Sequence, residues 1–265
     1  MKKAKTTFLA ASVVIVGASL SQGAISIGSL NSAVSQDFDV LATTGSSTFV
    51  DDSTIAGWTV NSEEMDSNSN EYFASSGTST GGEVFSFGTG TDSDRALGYI
   101  GSGGNDFFNV AVGLQNNTGV TISAINVSYT GEQWRSGGNT SDNLNLLTFS
   151  YQIFSAGAGI LPASTSLTGW TTVSSLDFAA PQLSLAAGSL DGNSAANQES
   201  FSGVSLGSIT LNAGDEIWLR WTGNNAAGTD AGLSIDDFSA VAVPEPSSSA
   251  LLGLGGLALI MRRRK

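Results

Sequence analysis

The sequence predicts an all-β fold, an antiparallel sandwich of two packed sheets, on three observations. Apolar residues in the body recur at every second position, which is the period of a strand with one buried face. Clusters of Gly, Asn, Asp and Ser interrupt these runs at short intervals, as turns do. The chain has 33 glycines, only 4 prolines and 40% hydrophobic residues, and this patterned apolar content argues against a disordered chain.

The clearest predicted strands lie in the middle and in the last third of the body. Apolar residues alternate with small or polar ones in four runs: 108–114, 125–129, 147–153 and 217–221. Turn-forming segments follow or precede them at 116–119, 137–139 and 212–215. Nearer the N-terminus, the pattern alone predicts first strands at Phe38-Asp39-Val40 and at Gly57-Trp58-Thr59. Many short strands at this spacing, each with one buried face, favour a sandwich.

The chain contains no cysteine and no histidine. Without cysteine the domain cannot be stabilised by disulfides, so its core or an oxygen-bound metal must hold it together. Without histidine it lacks the usual general base and the commonest transition-metal ligand, and a Ser-His-Asp or Cys-His catalytic site is excluded. A carboxylate pair of the glycosidase type stays open as an alternative, although no two acids stand out.

The charged residues are segregated along the chain. All four lysines lie at the termini, whereas the body holds 22 of the 23 acidic residues and only three arginines, which gives it a net charge of −19. Such a surface repels nucleic acid and anionic membranes and attracts calcium or other cations. The alternative is that this charge only keeps the protein soluble in a salty exterior.

Residues 1–24 have the three parts of a signal peptide. Three lysines precede residue 6, an apolar run follows at 8–20, and small residues around Gly23 and Ala24 suit a cleavage site. The alternative is a membrane anchor that is retained, but the run is short for a span.

The C-terminal tail also has three parts. Val243, Pro244, Glu245 and Pro246 open it, and the prolines stop the last strand and leave an extended, exposed segment. Residues 250–261 then form an apolar run of 12, which is short for a full span of roughly 20. A basic cluster ends the chain and stays on the cytoplasmic side by the positive-inside rule, as a membrane stop: Arg262, Arg263, Arg264 and Lys265.

This tail resembles the PEP-CTERM sorting signal of Gram-negative bacteria, which combines Pro-Glu-Pro, a short apolar helix and an arginine-rich end. The resemblance implies that Pro244, Glu245 and Pro246 are recognised by an exosortase, a membrane transpeptidase-like cysteine enzyme. It also implies that the helix and the arginines are removed or serve as a temporary anchor in the inner membrane.

The body resembles a module of secreted PEP-CTERM proteins over residues 86–242, whereas residues 25–85 rest on pattern alone. The segments that carry the likeness are 95–98, 127–135, 190–193, 216–221 and 233–238. The pattern and this resemblance together favour a jelly roll among sandwiches. We therefore expect a signal peptide at 1–24, a β-sandwich domain at 25–242 and a sorting tail at 243–265. The sandwich would be flanked by an N-terminal signal helix and a C-terminal apolar helix.

The segment Ile235-Asp236-Asp237-Phe238 is similar to the last strand of many carbohydrate-binding jelly rolls. In such modules the first and last strands often lie side by side, and carboxylates there hold structural calcium. The resemblance implies a calcium site formed by Asp37, Asp39, Asp236 and Asp237, because calcium takes six to eight oxygen ligands. The alternative is that one of the last two aspartates faces solvent and the other caps a bulge or turn.

Aromatic and charged residues cluster in two predicted strand ends, 132–135 and 216–221. One interpretation is structural, with Arg95, Arg135 and Arg220 partly buried and paired with carboxylates. The other is a sugar-binding platform, because an indole face can stack on the apolar face of a sugar. Alternation places Trp218 and Trp221 on opposite faces, so at least one belongs to the core.

These observations predict a non-enzymatic protein of the cell surface or extracellular matrix, associated with biofilm or exopolysaccharide. It would be exported by the secretion machinery, sorted by an exosortase and retained in the cell envelope, at the outer surface or in the matrix, with at least transient contact with the inner membrane. Exopolysaccharide is its expected partner, and nucleic acid is not. The alternatives are a calcium-dependent carbohydrate-binding module and a glycan-active enzyme with two carboxylates in a cleft.

Overall fold

The computed structural model describes residues 23–62, 70–104, 106–138, 145–155, 168–225 and 228–243. This part of the chain forms sixteen strands in two sheets, with one short 3-10 helix at Ser174–Leu176. The expected signal helix at 1–24 lies almost entirely outside the described residues, and the C-terminal apolar helix lies wholly outside them. Within the described ranges, no helix is long and apolar enough to span a membrane.

The first sheet has long strands at its centre. Strand β8 (Phe107–Asn116) pairs with β15 (Glu216–Asn224), which pairs with β10 (Leu146–Phe154). Two short strands, β1 (Ile25–Ile27) and β4 (Trp58–Ser62), share the outer edge of β8. At the other end, β11 (Thr171–Thr172) and β12 (Phe178–Ala179) pair with β10.

The second sheet is built around β9 (Ala124–Ser136) and β16 (Gly232–Val243). Beyond β9 lie β13 (Gly188–Ser189) and β14 (Gln198–Leu206). Beyond β16 lie β2 (Ala33–Gln36) and β7 (Ala96–Ile100). The sheet then continues through β6 (Val84–Phe87) and β5 (Glu71–Ser75) to the edge strand β3 (Ser46–Thr48).

The four strongest predicted runs all fall within strands, but the prediction of purely antiparallel sheets is wrong. Strand β1 pairs with β8 in parallel, and β5 pairs with β6 in parallel. Between β5 and β6, the segment 76–83 returns the chain to the end at which β5 began. Alternation reports which face of a strand is buried and not the direction of the neighbouring strand, so the sequence pattern could not distinguish these pairs.

A predicted first strand at Phe38-Asp39-Val40 is also wrong, because β2 ends at Gln36 and the chain turns there. Phe38 has a positive φ of 58° and is fully buried, so it acts as a core residue of a loop. The prediction at Gly57-Trp58-Thr59 is confirmed to one residue, because β4 begins at Trp58.

Aromatic residues from both sheets fill the core. Trp221 of β15 stacks on Trp58 with ring centroids 6.0 Å apart and meets Phe149 edge-on at 5.1 Å. From the facing sheet, Tyr129 and Phe238 meet the same indole edge-on at 5.3 and 5.8 Å. Edge-to-face and offset pairs at these separations stabilise a core beyond the area they bury.

A bulge in β16 allows apolar residues on both sides of it to face the core. Ile235 and Phe238 are both buried in the core although they are three residues apart, which strict alternation does not allow. The register against β9 shifts between Asp236 and Ser239, and Asp237 has a positive φ of 49°. The extra residue restores the alternation, as bulges do.

Candidate functional site

The same indole–carboxylate arrangement occurs in both sheets. On β9, Nε1 of Trp134 donates a hydrogen bond to Oε2 of Glu132 at 2.9 Å. On β15, Nε1 of Trp218 donates to Oε2 of Glu216 at 3.2 Å. In each pair the residues are two apart, so the strand period places both side chains on one face. All four side chains are buried, and the carboxylates satisfy the indole donors.

Glu132 and Asp236 form a pair of buried acids on the outer face of the second sheet. Ser234 of β16 lies opposite Glu132 of β9, and Asp236 lies two residues farther along β16 on the same face. Glu132 also accepts hydrogen bonds from Gln198 at 3.2 Å and from the Ser234 hydroxyl at 3.4 Å. Asp236 accepts the backbone N–H of Asp237 at 2.7 Å.

Burial raises the pKa of both acids and so favours their protonated forms. Burial raises the pKa of Glu132 to about 7, and the hydrogen bonds from Trp134 and Gln198 partly oppose the rise. Burial also raises the pKa of Asp236 to about 9, with a further contribution from the nearby Glu132 carboxylate. Only 2% of Glu132 and 5% of Asp236 are exposed, so neither can contact a polymeric substrate directly.

More carboxylates lie near the bulge of β16. The pKa of Asp94 is raised, first by partial burial and then by repulsion from Asp39 and Asp237. A hydrogen bond of 2.8 Å from the amide of Asn193 to Oδ2 of Asp94 opposes this rise. Asp39 in turn accepts the backbone N–H of Arg95 at 3.1 Å. The edge at which β2, β7 and β16 meet is therefore strongly acidic.

The structure places two of the four predicted calcium ligands, Asp37 and Asp237, at one pocket and buries a third, Asp236. Asp37, Asp39 and Asp237 are exposed, whereas Asp236 is buried and faces Glu132. Asp37 and Asp237 line one open surface pocket of about 490 Å³ between β2 and β16. Within the described residues, no three Asp or Glu side chains are grouped so that they could hold a metal ion. Calcium binding by these residues stays a prediction.

The arginines make contacts that the sequence did not predict. Arg95 is 1% exposed, and its guanidinium donates to the hydroxyl of Ser86 at 2.9 Å and to the carbonyl oxygen of the same residue. Arg135 donates to the carbonyl oxygen of Gly77 at 3.2 Å. The guanidinium of Arg220 lies 3.8 Å from the ring centre of Trp170, a cation–π contact.

Four of the five tryptophans cannot form an exposed platform. Trp58, Trp134, Trp218 and Trp221 are fully buried, and Trp221 belongs to the core between the sheets, whereas Trp218 lies on the outer face of the first sheet. Their ring faces are covered by protein, so stacking on a sugar is not available to them. Only Trp170 is partly exposed, and one face of its ring lies against Arg220.

The sequence contained a local signal for the two indole–carboxylate pairs that was not recognised in the separate motifs. The Glu-x-Trp spacing occurs at Glu132 and again at Glu216, and period-2 geometry makes each an intrastrand pair. The proximity of Asp236 to Glu132 has no local signal, because it depends on which strand lies beside β9.

The last strand leads directly into the predicted sorting tail. Val243 is the final residue of β16 and pairs with Ala124 of β9. Pro244, Glu245 and Pro246, with the basic residues Arg262 to Lys265, lie outside the described residues. Strand β16 therefore reaches the residue before the first proline of the tail.

Three solved structures illustrate what the chain is similar to. TmCBM61, solved in complex with β-1,4-galactotriose, is 10% identical with a TM-score of 0.31, and the match covers 70% of this chain and 88% of that one. The K2 cleaved adhesin domain of Lys-gingipain is 13% identical with a TM-score of 0.38, covering 79% and 97%. The K3 cleaved adhesin domain of Lys-gingipain from Porphyromonas gingivalis W83 is 12% identical with a TM-score of 0.38, covering 79% and 98%.

A comparison with curated proteins finds no match. The family model described as the PEP-CTERM protein-sorting motif matches residues 242–265. This match begins one residue before the predicted tail and includes the Pro-Glu-Pro segment, the apolar run and the basic end. The C-terminal 24 residues of the chain are therefore a PEP-CTERM protein-sorting motif, a signal that implies export and sorting to the cell surface.

Proposed function

We propose that the protein is a non-enzymatic component of the cell surface or extracellular matrix, sorted by an exosortase that acts at its C-terminal tail. The single observation that carries this proposal is the sorting motif at 242–265, which starts where the last strand ends. The body is the cargo, a jelly-roll-like sandwich with a strongly acidic surface. Its secretion would begin with the signal peptide at 1–24.

The position of the motif suits removal of the tail after folding. All residues of β16 precede Pro244, so a cut after Pro246 would leave every backbone hydrogen bond of the second sheet in place. The tail residues would then hold the protein at the inner membrane only until the exosortase acts. The body, with a net charge of −19, would be repelled by the anionic membrane surface after release.

A non-enzymatic role fits the two adjacent acids as well. A glycosidase needs two carboxylates that flank a bound sugar with a cleft between them. The adjacent acids of this sandwich, Glu132 and Asp236, are buried under protein atoms and hydrogen-bonded to neighbouring side chains. We therefore favour the calcium-dependent carbohydrate-binding module over the glycan-active enzyme as the alternative function.

The test of sorting is the intact mass of the protein from each cell fraction of its native host. We expect the surface or matrix fraction to contain a chain that lacks about the first 24 residues and everything beyond Pro246. The variant Glu245→Ala should instead accumulate in the inner-membrane fraction with residues 250–265 still attached. If the surface form of the unaltered protein keeps these residues, exosortase processing is wrong.

A second candidate function is calcium-dependent carbohydrate binding. It is favoured by the repulsion that Asp39 and Asp237 exert on the Asp94 carboxylate where β2 and β16 meet, which a bound cation would relieve. Calcium at 1 mM should then raise the midpoint of thermal unfolding, and Asp237→Ala should abolish the rise. An equal rise with magnesium, or with the variant, would indicate general charge screening and remove this candidate.

A further inference from the structure

An open groove of about 590 Å³ lies at the outer face of the second sheet, between the edge strand β3 and the segment 79–83. We call it the edge groove. Its lining includes two aromatic rings and four polar side chains: Phe73, Phe85, Ser46, Ser79, Thr80 and Glu83. It is separate from the pocket that holds Asp37 and Asp237. Its volume is within the range of about 300–1,000 Å³ that small-molecule sites occupy.

Strand register produces the floor of the edge groove. Ser46 of β3 lies opposite Phe73 of β5, and Phe73 lies beside Phe85 of β6, so all three side chains point to the same face. Phe85 is 2% exposed and packs on Phe87 with ring centroids 5.1 Å apart. Phe73 packs against the same small cluster but stays partly exposed. The floor is therefore an aromatic surface with one accessible ring.

The rim of the edge groove is polar, and its groups are already oriented. The Ser75 hydroxyl donates to the hydroxyl of Ser79 at 3.2 Å, which leaves the Ser79 proton available for an acceptor in the groove. The Ser46 hydroxyl donates to Oε1 of Glu71 at 3.3 Å, and a hydroxyl oxygen can accept a further hydrogen bond. The backbone N–H of Ala74 donates to the carbonyl oxygen of Gly45 at 2.8 Å and fixes the β3 side of the rim.

The segment that forms the opposite wall is held at both ends. At Gly77 a Cβ atom would lie 1.8 Å from the carbonyl oxygen of Trp134, so only glycine allows this close approach. At Gly82 a Cβ atom would lie 2.1 Å from the hydroxyl oxygen of Ser102. Between these two contacts, a Cβ atom added at Gly81 would have no neighbour closer than 4.0 Å. The wall is therefore fixed, while the space beside Gly81 is open.

The charge of the lining selects among ligand classes. The residues that line the edge groove include no lysine or arginine and one acid, Glu83, in a body with a net charge of −19. An anionic polymer would be repelled. A hydroxyl-rich, uncharged ligand with an apolar face would match an aromatic floor and a rim of hydroxyl and carboxylate groups.

We propose that the edge groove binds neutral polysaccharide, with a sugar ring stacked on Phe73 and its hydroxyls bonded to Ser46, Ser79 and Glu83. This inference rests on the proposed surface role for its choice of a polymeric sugar, and it gives that role a ligand class. It does not involve the tail or the acidic edge at β2, so it predicts binding that is independent of calcium.

The test is affinity electrophoresis of the protein purified from its host, in gels that contain dextran, xylan or β-1,4-galactan, with alginate as the anionic probe. At least one neutral polysaccharide should retard the protein, equally with and without EDTA, and alginate should not. Phe73→Ala should weaken this retardation about tenfold or more, as truncation of a central aromatic contact does. Gly81→Leu adds a bulky side chain at a residue that lines the groove, without a backbone clash, and should have the same effect.

Gly103→Leu is the matched control, because a Cβ atom at Gly103 also meets no atom within 4 Å and the residue does not line the groove. It should bind like the unaltered protein, and all three variants should unfold at similar temperatures except for a modest loss in Phe73→Ala. Absence of retardation by every neutral polysaccharide overturns the proposal, as does equal binding by Gly81→Leu and Gly103→Leu. Self-association of the protein that Gly81→Leu abolishes would identify a second copy as the occupant and also overturn it. Because the assay is carried out in solution, a failure here is distinct from a failure of sorting, which the mass measurement reports.

Discussion

Two buried acids of this protein, Glu132 and Asp236, have pKa values well above their ordinary ones. Glu132 and Asp236 are buried side by side, and their carboxylates accept hydrogen bonds from an indole and a backbone N–H. The unfolded chain releases these protons near the ordinary values of 4.5 and 3.8, whereas the folded chain retains them to about 7 and about 9. The folded state therefore binds more protons over this interval.

The free energy of unfolding should fall as the pH rises, because each raised pKa gives stability that is complete below the unfolded value and lost toward the folded one. We expect the contribution of Glu132 to be lost between about pH 4.5 and 7, and that of Asp236 between about pH 4 and 9. Asp236→Asn keeps the acceptor for Asp237 and removes the charge. It should be more stable than the unaltered protein at pH 9, by on the order of 1 kcal/mol or more.

Urea unfolding at pH 5 and pH 9 measures this difference, with Asp106→Asn as the control at an exposed acid. The control should follow the unaltered protein at both pH values. A stability of Asp236→Asn that changes with pH as steeply as that of the unaltered protein would refute the assignment of the slope to this acid.

At the scale of the strand, glycine allows a large side chain to lie flat on a sheet. Trp218 of β15 is fully buried, and Gly113 lies opposite it on β8. A Cβ atom at Gly113 would lie 2.6 Å from the indole ring, which is closer than such atoms approach. The indole therefore occupies the space that a side chain at position 113 would need.

Gly113→Ala should lower the free energy of unfolding by about 1–3 kcal/mol, since an extra methyl group in a packed site forces the neighbour to move. Gly28→Ala is the matched control, because a Cβ atom there has no neighbour within 4 Å. Urea unfolding of both variants checks the prediction. A loss in Gly28→Ala equal to that in Gly113→Ala would show that the indole contact is not the cause.

At the scale of the whole molecule, the final strand is both the centre of a sheet and the link to the sorting tail. β16 pairs with β9 along one side and with β7 and β2 along the other. The end of β16 nearest the tail contributes three buried side chains to the core: Phe238, Ala240 and Ala242. The described fold therefore depends on residues up to Val243.

A chain that ends at Pro246 should unfold at the same temperature as the full chain, because it keeps the whole of β16. A chain that ends at Asp236 should fail to fold, because it loses a central stretch of sheet and the buried residues from Phe238 onward. Circular dichroism with heating distinguishes these outcomes. A clear decrease in the unfolding temperature of the longer chain would place the tail within the folded unit.

Features that depend on near neighbours along the chain could be predicted from the residues alone. Period-2 alternation predicted the runs in β8, β9, β10 and β15, because burial of one strand face requires an apolar residue at every second position. The sorting tail could also be predicted, because its prolines, apolar run and basic end follow one another along the chain. The family match at 242–265 agrees with this prediction. The Glu-x-Trp pairs were within reach by the same local geometry.

The three-dimensional fold was needed to show which distant segments lie side by side. The parallel pairs β1–β8 and β5–β6, the proximity of Asp236 to Glu132, and the edge groove all depend on strand order, for which alternation carries no information. The bulge at Asp237 likewise became visible only against the register of β9. Strand order is fixed by the summed packing of many side chains across both sheets, and that quantity is not local to any stretch of sequence.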